Sequence, residues 1–186
     1  MTRNDLTWRF PIWLAVLIAT TAVLTVVYTC VTPFAAFAVI VAATLSWRGA
    51  LSCTVLVWLA NQAMGFGLLH YPPTGKTVAW GVVIGGAAVI GTLAAQWSHR
   101  RLRAFGAPTR TLGSFAAAFA LYQLTLYAAA ASVLGGTGTF SVRIIGQVLA
   151  INAATLVGLY GLQQLVEACF VLIRRRRAHA SAARVA

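Results

Sequence analysis

Apolar positions in this chain fall into six runs separated by short polar breaks. They extend approximately from Pro11 to Tyr28, Pro33 to Trp47, Ala50 to Leu69, Thr77 to Trp97, Leu112 to Leu134 and Phe140 to Ile173. A helix needs about 20 apolar residues to cross a hydrocarbon core about 30 Å thick, and in lipid each backbone polar group must find its partner within the helix. The pattern therefore predicts an all-α integral membrane protein: one transmembrane domain, a six-helix bundle. The second run is short for a crossing and alternatively reads as re-entrant, but skipping it would put Arg48 on the opposite side from the other arginines. The sixth is too long for one crossing and too short for two with a turn. It is expected to be one helix that projects beyond the membrane into a basic tail over 174–186.

Charge sets the orientation. With the N-terminus inside, the cytoplasmic segments hold Arg3, Arg9, Arg48, Arg100, Arg101, Arg103, Arg110, Arg174 to Arg177 and Arg184, twelve of the fourteen basic residues. Only Lys76 and Arg143 fall outside. This positive-inside asymmetry predicts that both termini are cytoplasmic. Arg174 to Arg177 would lie among anionic headgroups, at about 1 kcal/mol of attraction per charge.

Composition agrees. Hydrophobic residues make up 60% of the 186 positions and charged residues 9%, a balance that would leave a water-soluble domain with large exposed apolar patches. The net charge of +12 does not imply nucleic acid, because the arginines lie between and after apolar blocks and not on an aromatic-interleaved surface. Cys30, Cys53 and Cys169 sit in separate apolar stretches without metal-ligand spacing, so they read as buried small residues, and neither a metal site nor a cofactor is expected. The basic start before the first run resembles a signal peptide. That run continues without a small-x-small cleavage site, which favours an uncleaved first span.

In lipid, helices pack largely through small residues. Gly81 and Gly85 form a GxxxG step in the fourth run, and Gly146, Ala150, Ala154 and Gly158 form three such steps in the sixth; Ala15 and Ala19 add one in the first. These stripes are expected to make close helix contacts, within the bundle or with a separate subunit.

Polar side chains are costly in hydrocarbon, so their depth is informative. Asn61, Gln62, Gln123 and Asn152 fall near the expected midplane, and Gln147, Arg143, Tyr127, His70 and Tyr71 lie further toward the outside. The inner halves hold little polarity apart from Glu167. This gradient predicts a polar-lined cavity open to the outside, with Phe66 and Trp80 among its aromatic walls. Asn61 and Gln62, being adjacent, are not expected to point the same way, and one of them is expected to make an interhelical hydrogen bond. Arg143 reads either as snorkelling to the headgroups or as meeting an anionic group, and His70 as an exposed loop residue or a ligand. The chain has two carboxylates, Asp5 and Glu167, neither placed to act with a catalytic partner, and no ATPase sequence, so an enzyme is not expected.

Three segments carry a family resemblance: the Ala15-xxx-Ala19 step, the short second span followed by Trp47-Arg48-Gly49, and the stretch from Trp58 through Asn61, Gln62, Gly65 and Phe66 to His70-Tyr71-Pro72. On these, over nearly its whole length, the chain resembles the substrate-binding S component of energy-coupling factor (ECF) vitamin transporters. The resemblance implies an inner-membrane protein that binds a vitamin near its outer surface, at the outer ends of the third to sixth spans. It also implies that Ala15 and Ala19 contact a membrane coupling subunit that works with ATPases. A corrinoid is the first choice of substrate, because His70 would approach cobalt, with other water-soluble vitamins close behind. The alternative expectation is a non-catalytic structural or assembly subunit of a larger membrane complex.

Overall fold

The computed structural model describes residues 9–28 and 32–182, with side chains described over 10–25 and 32–165. Arg3, Asp5, Cys30 and Arg184 lie outside the described residues, as do the side chains of Arg9, Glu167, Cys169 and Arg174 to Arg177. The described chain is helical, in six α-helices: α1 (Arg9–Tyr28), α2 (Phe34–Thr44), α3 (Trp47–Gly67), α4 (Gly75–Arg101), α5 (Ala107–Ala129) and α6 (Val142–Ala182). A 3-10 turn, Leu102–Ala104, joins α4 to α5. A π-helical turn, Ala130–Leu134, extends α5, and a 3-10 turn, Thr137–Phe140, precedes α6. Four stretches, Trp47–Gly67, Gly75–Ala104, Ala107–Leu134 and Val142–Leu165, have the length and hydropathy that a membrane crossing requires.

Local signals explain where the helices begin and end. Ser46 and Thr74 are N-caps whose hydroxyls accept from Gly49 N and Thr77 N, both at 3.3 Å, so α3 and α4 start a few residues before their apolar runs. Similarly, α5 opens at Ala107 with Pro108 in its first turn, ahead of the expected Leu112. At its other end α6 does not stop at Ile173; it continues as helix through the basic stretch to Ala182.

The short second run forms the centre of the bundle. From Phe34 to Ala42, α2 is buried on every side, and it packs against α3, α4, α5 and α6. It supplies the middle of one core that also takes in Trp13 and Leu17 from α1, Ala50, Cys53 and Val57 from α3, and Ala87, Ala88 and Ala95 from α4; Phe115, Ala118 and Tyr122 join from α5, and Leu156 and Leu159 from α6. An 11-residue helix rises only about 16 Å, roughly half the thickness of a hydrocarbon core. Its N-terminus is consequently buried, and it needs donors satisfied from elsewhere. Asn152, in α6 and 2% exposed, supplies this: its Oδ1 accepts the Ala36 N–H at 3.2 Å while its Nδ2 donates to the Val148 carbonyl at 2.9 Å.

The glycine stripes behave in two ways. In α4 the GxxxG step receives side chains from α3. Gln62 lies against Gly81, the Trp58 ring covers Gly85, where a methyl group would stand 2.6 Å from it, and Trp58 Nε1 donates to the Gly81 carbonyl at 2.8 Å. Thr54 and Thr92 tie the same two helices by a buried hydrogen bond of 2.9 Å. The longer stripe of α6 departs from expectation. Gly146, Ala150, Ala154 and Gly158 are exposed, and a methyl group at Gly146 or Gly158 would meet nothing within 4 Å. Among the described residues of α6, only the opposite face, with Asn152, Leu156 and Leu159, is buried. A close approach of α4 and α5 instead uses Gly91, where a methyl group would stand 3.3 Å from the Ala118 carbonyl.

Candidate functional site

Because α2 is short, the five longer helices enclose space beyond its buried N-terminus, at the end of the bundle opposite the arginine-rich turns. Two cavities occupy this space. The first, about 380 Å³, is lined by Asn61, Gln62, Phe66, Tyr71, Thr77 and Trp80 among others. The second, about 360 Å³, is bordered by Thr32, Tyr122, Gln123, Gly135, Gly136 and Phe140. Lys76, Trp80 and Ile84, one face of the first turns of α4, line both cavities and form the wall between them.

Each wall has a local cause. At 2.6 Å the Thr32 hydroxyl donates to Asn61 Oδ1, which fastens the segment before α2 to the middle of α3; the expected tie was between two helices, and this one runs from a linker to a helix. Gln62 rests on Gly81, and both amides line the first cavity. After α3 the chain folds back. Tyr71 N donates to the Gly65 carbonyl at 3.1 Å, and its ring packs over Gly65, where a methyl group would stand 3.1 Å from it. That turn requires a left-handed residue at His70 (φ 52°), a conformation uncommon outside glycine although histidine is among the residues that tolerate it. Beyond α5 the rim of the second cavity is made by Gly135 and Gly136, with φ of 70° and 94°. Phe140 is held there by an edge-to-face contact with Tyr127, centroids 5.3 Å apart.

Of the residues singled out in the sequence, Asn61, Gln62, Phe66, Tyr71, Trp80 and Gln123 line the cavities. Tyr127 stands behind the second cavity through Phe140. His70, Arg143 and Gln147 are exposed and line neither, while Asn152 is occupied with the backbone of α2. Ala15 and Ala19 are exposed on α1, and Ala19 borders a third, shallower groove of about 440 Å³ with Val16 and Val23 on one side and Thr155, Gly158 and Leu159 of α6 on the other. Three contributors carried too weak a sequence signal to be singled out: Thr32 in a linker, Thr77 in a helix cap, and Lys76, which read only as an outer-loop cation. Among the described residues there is no group of three or more His, Cys, Asp or Glu able to hold a metal.

No protein-family model matches the chain, and no curated protein or solved structure shows significant similarity to it. The chemistry of the site therefore rests on its own geometry. The cavities offer aromatic and aliphatic surface, three amide side chains, threonine hydroxyls and one ammonium group.

Proposed function

We propose that the chain is a multi-pass protein of the cytoplasmic membrane that captures a small water-soluble solute from outside, in the manner of the ECF S components it resembles. The observation that carries the reading is the pair of cavities beyond α2, separated by Trp80 and Lys76 and lined by Asn61, Gln62 and Gln123. Small-molecule sites typically combine mostly apolar walls with a few placed polar groups in about 300–1,000 Å³.

The positive-inside rule supports six crossings with both termini cytoplasmic. Arg48, Arg100, Arg101, Arg103 and Arg110 gather at one end of the bundle, while among the described residues Lys76 and Arg143 are the cations of the cavity end. On that orientation the cavities open outward. Their walls suit a solute with flat apolar surface, several hydrogen-bonding groups and a negative charge for Lys76. A vitamin of modest size fits one cavity, whereas a corrinoid would need both. His70 stands outside both linings, so it gives no reason to prefer a corrinoid over other water-soluble vitamins. Energy for uptake would come from a membrane coupling subunit with its ATPases, docked on the α1 face that exposes Ala15 and Ala19.

Calorimetric titration of the purified protein with water-soluble vitamins, with mass spectrometry of co-purifying small molecules, tests this reading. Binding is expected, and Trp80→Ala should abolish it while circular dichroism stays unchanged. If no solute binds and Gln62→Leu and Gln123→Leu only raise stability, the cavities are packing defects and the reading fails.

One observation favours a second reading, a structural or assembly subunit: the exposed small-residue stripe of α6 has the composition by which membrane helices pair. In that case Gly158→Leu should remove a cross-linked membrane partner from a chain that binds no solute.

A further inference from the structure

The polar groups of the first cavity are biased toward donation. Among the described residues Lys76 is the one cation that lines either cavity, and no carboxylate side chain is present among them to pair with it. It stands in the first turn of α4, where the helix dipole adds partial positive charge.

Asn61 contributes donors because of the way its amide is held. The Thr32 hydroxyl, in a residue only 9% exposed, stands 2.6 Å from Asn61 Oδ1. Hydroxyl-to-oxygen hydrogen bonds are about 2.7–2.8 Å long, whereas an amide nitrogen stands about 2.9–3.0 Å from its acceptor, so this separation turns the oxygen toward Thr32 and not the nitrogen. With Oδ1 taken, what Asn61 has left for the cavity is Nδ2, which carries two protons and accepts nothing. Its neighbour Gln62 rests on Gly81 without a hydrogen bond among the described residues, so that amide is free to present either end.

One full positive charge, one amide fixed as a donor and the aromatic walls of Phe66 and Trp80 define a ligand class. A carboxylate matches in charge, and its oxygens accept from both donors. A phosphate monoester carries about −1.5 to −2 at pH 7 and would leave charge uncompensated in a mostly apolar cavity.

Resting on the reading that the chain captures a solute, we propose that the first cavity selects a monocarboxylate with a flat apolar body, its carboxylate held by Lys76 Nζ and Asn61 Nδ2. Thr32, from the wall of the second cavity, is the positioning residue that keeps the Asn61 amide turned to donate.

Calorimetric titration of the full-length protein in detergent, at pH 7 and equal ionic strength, tests this with matched probes: benzoate against benzamide, nicotinate against nicotinamide, and benzoate against phenyl phosphate. Each acid should bind about tenfold more tightly than its amide, as expected for one charge-assisted hydrogen bond, and benzoate more tightly than phenyl phosphate. Lys76→Gln should remove most of the acid preference. Thr32→Val should lower the acid-to-amide ratio and Thr32→Ser restore it, whereas a merely structural Thr32 would change the melting temperature and leave the ratio alone. If Thr32→Val does not fold, the exposed Lys76→Gln carries the test. Amides that bind as tightly as their acids, tighter binding of phenyl phosphate, or an acid preference that Lys76→Gln leaves undiminished would overturn the proposal while solute capture stands. An undiminished preference in folded Thr32→Val overturns the positioning role. Failure of every probe to bind overturns the proposal too, and solute capture then stands or falls on whether a molecule without a carboxylate co-purifies.

Discussion

Asn152 of α6 accepts the backbone N–H of Ala36 at 3.2 Å, so a side chain ten residues into the last helix completes the first turn of the second. The buried start of α2 depends on this bond, and the cavities lie directly beyond it. Asn152→Leu removes the acceptor, orphans a buried N–H and should destabilise the protein by about 1–3 kcal/mol in denaturant or thermal unfolding. Asn152→Asp keeps an acceptor and should fall between the two. Equal stability of wild type and Asn152→Leu would mean that α2 needs no such cap.

Glycines that look alike in sequence should respond differently. Gly85→Ala forces a methyl group into the Trp58 ring and strains the Trp58 Nε1 to Gly81 hydrogen bond, a cost of about 1–3 kcal/mol. Gly158→Ala meets open space and should be neutral or stabilising by up to about 1 kcal/mol, through helix propensity alone. Parallel melting curves of the two variants decide the matter, and similar losses would contradict the packing described.

The rim of the second cavity tests backbone conformation. Gly135 has φ 70° and ψ 179°, a region essentially restricted to glycine, whereas Gly138 has no such requirement. Gly135→Ala should cost about 1–3 kcal/mol and Gly138→Ala close to nothing. A reversed order in unfolding experiments would show that the turn is not built as described.

Lys76 gives a prediction about binding and not about folding. It is exposed, borders both cavities, and follows the Thr74 cap without making part of it. Lys76→Gln should weaken capture of an anionic solute about tenfold and leave the melting temperature unchanged; affinity that is insensitive to this change would remove the charge from the site's recognition.

Much of the cavity was legible before any coordinates. Asn61, Gln62, Phe66 and Gln123 attract notice because amides are expensive in apolar helices and because four-residue spacing aligns them with aromatic neighbours. Lys76 and Thr32 did not stand out, since a polar residue in a linker is unremarkable until a helix brings it to a wall. Conversely Arg143 and Gln147 share a face of α6 as their spacing requires, but the face is an exposed one. Spacing fixes which residues go together, not which way a helix is turned.

The sequence by itself determined the helical state of the chain and the approximate limits of its runs, because lipid-length apolar stretches leave the backbone no other way to satisfy its polar groups. It also determined the separation of arginines from amides along the chain, and therefore the two chemically different ends. Only the tertiary structure decided that the shortest run sits at the centre, that the α4 glycines hold side chains while the α6 glycines hold nothing, and that Asn152 serves the backbone. Those outcomes depend on the rotation of each helix about its axis, which is set by how neighbouring surfaces fit and which no single run of residues encodes.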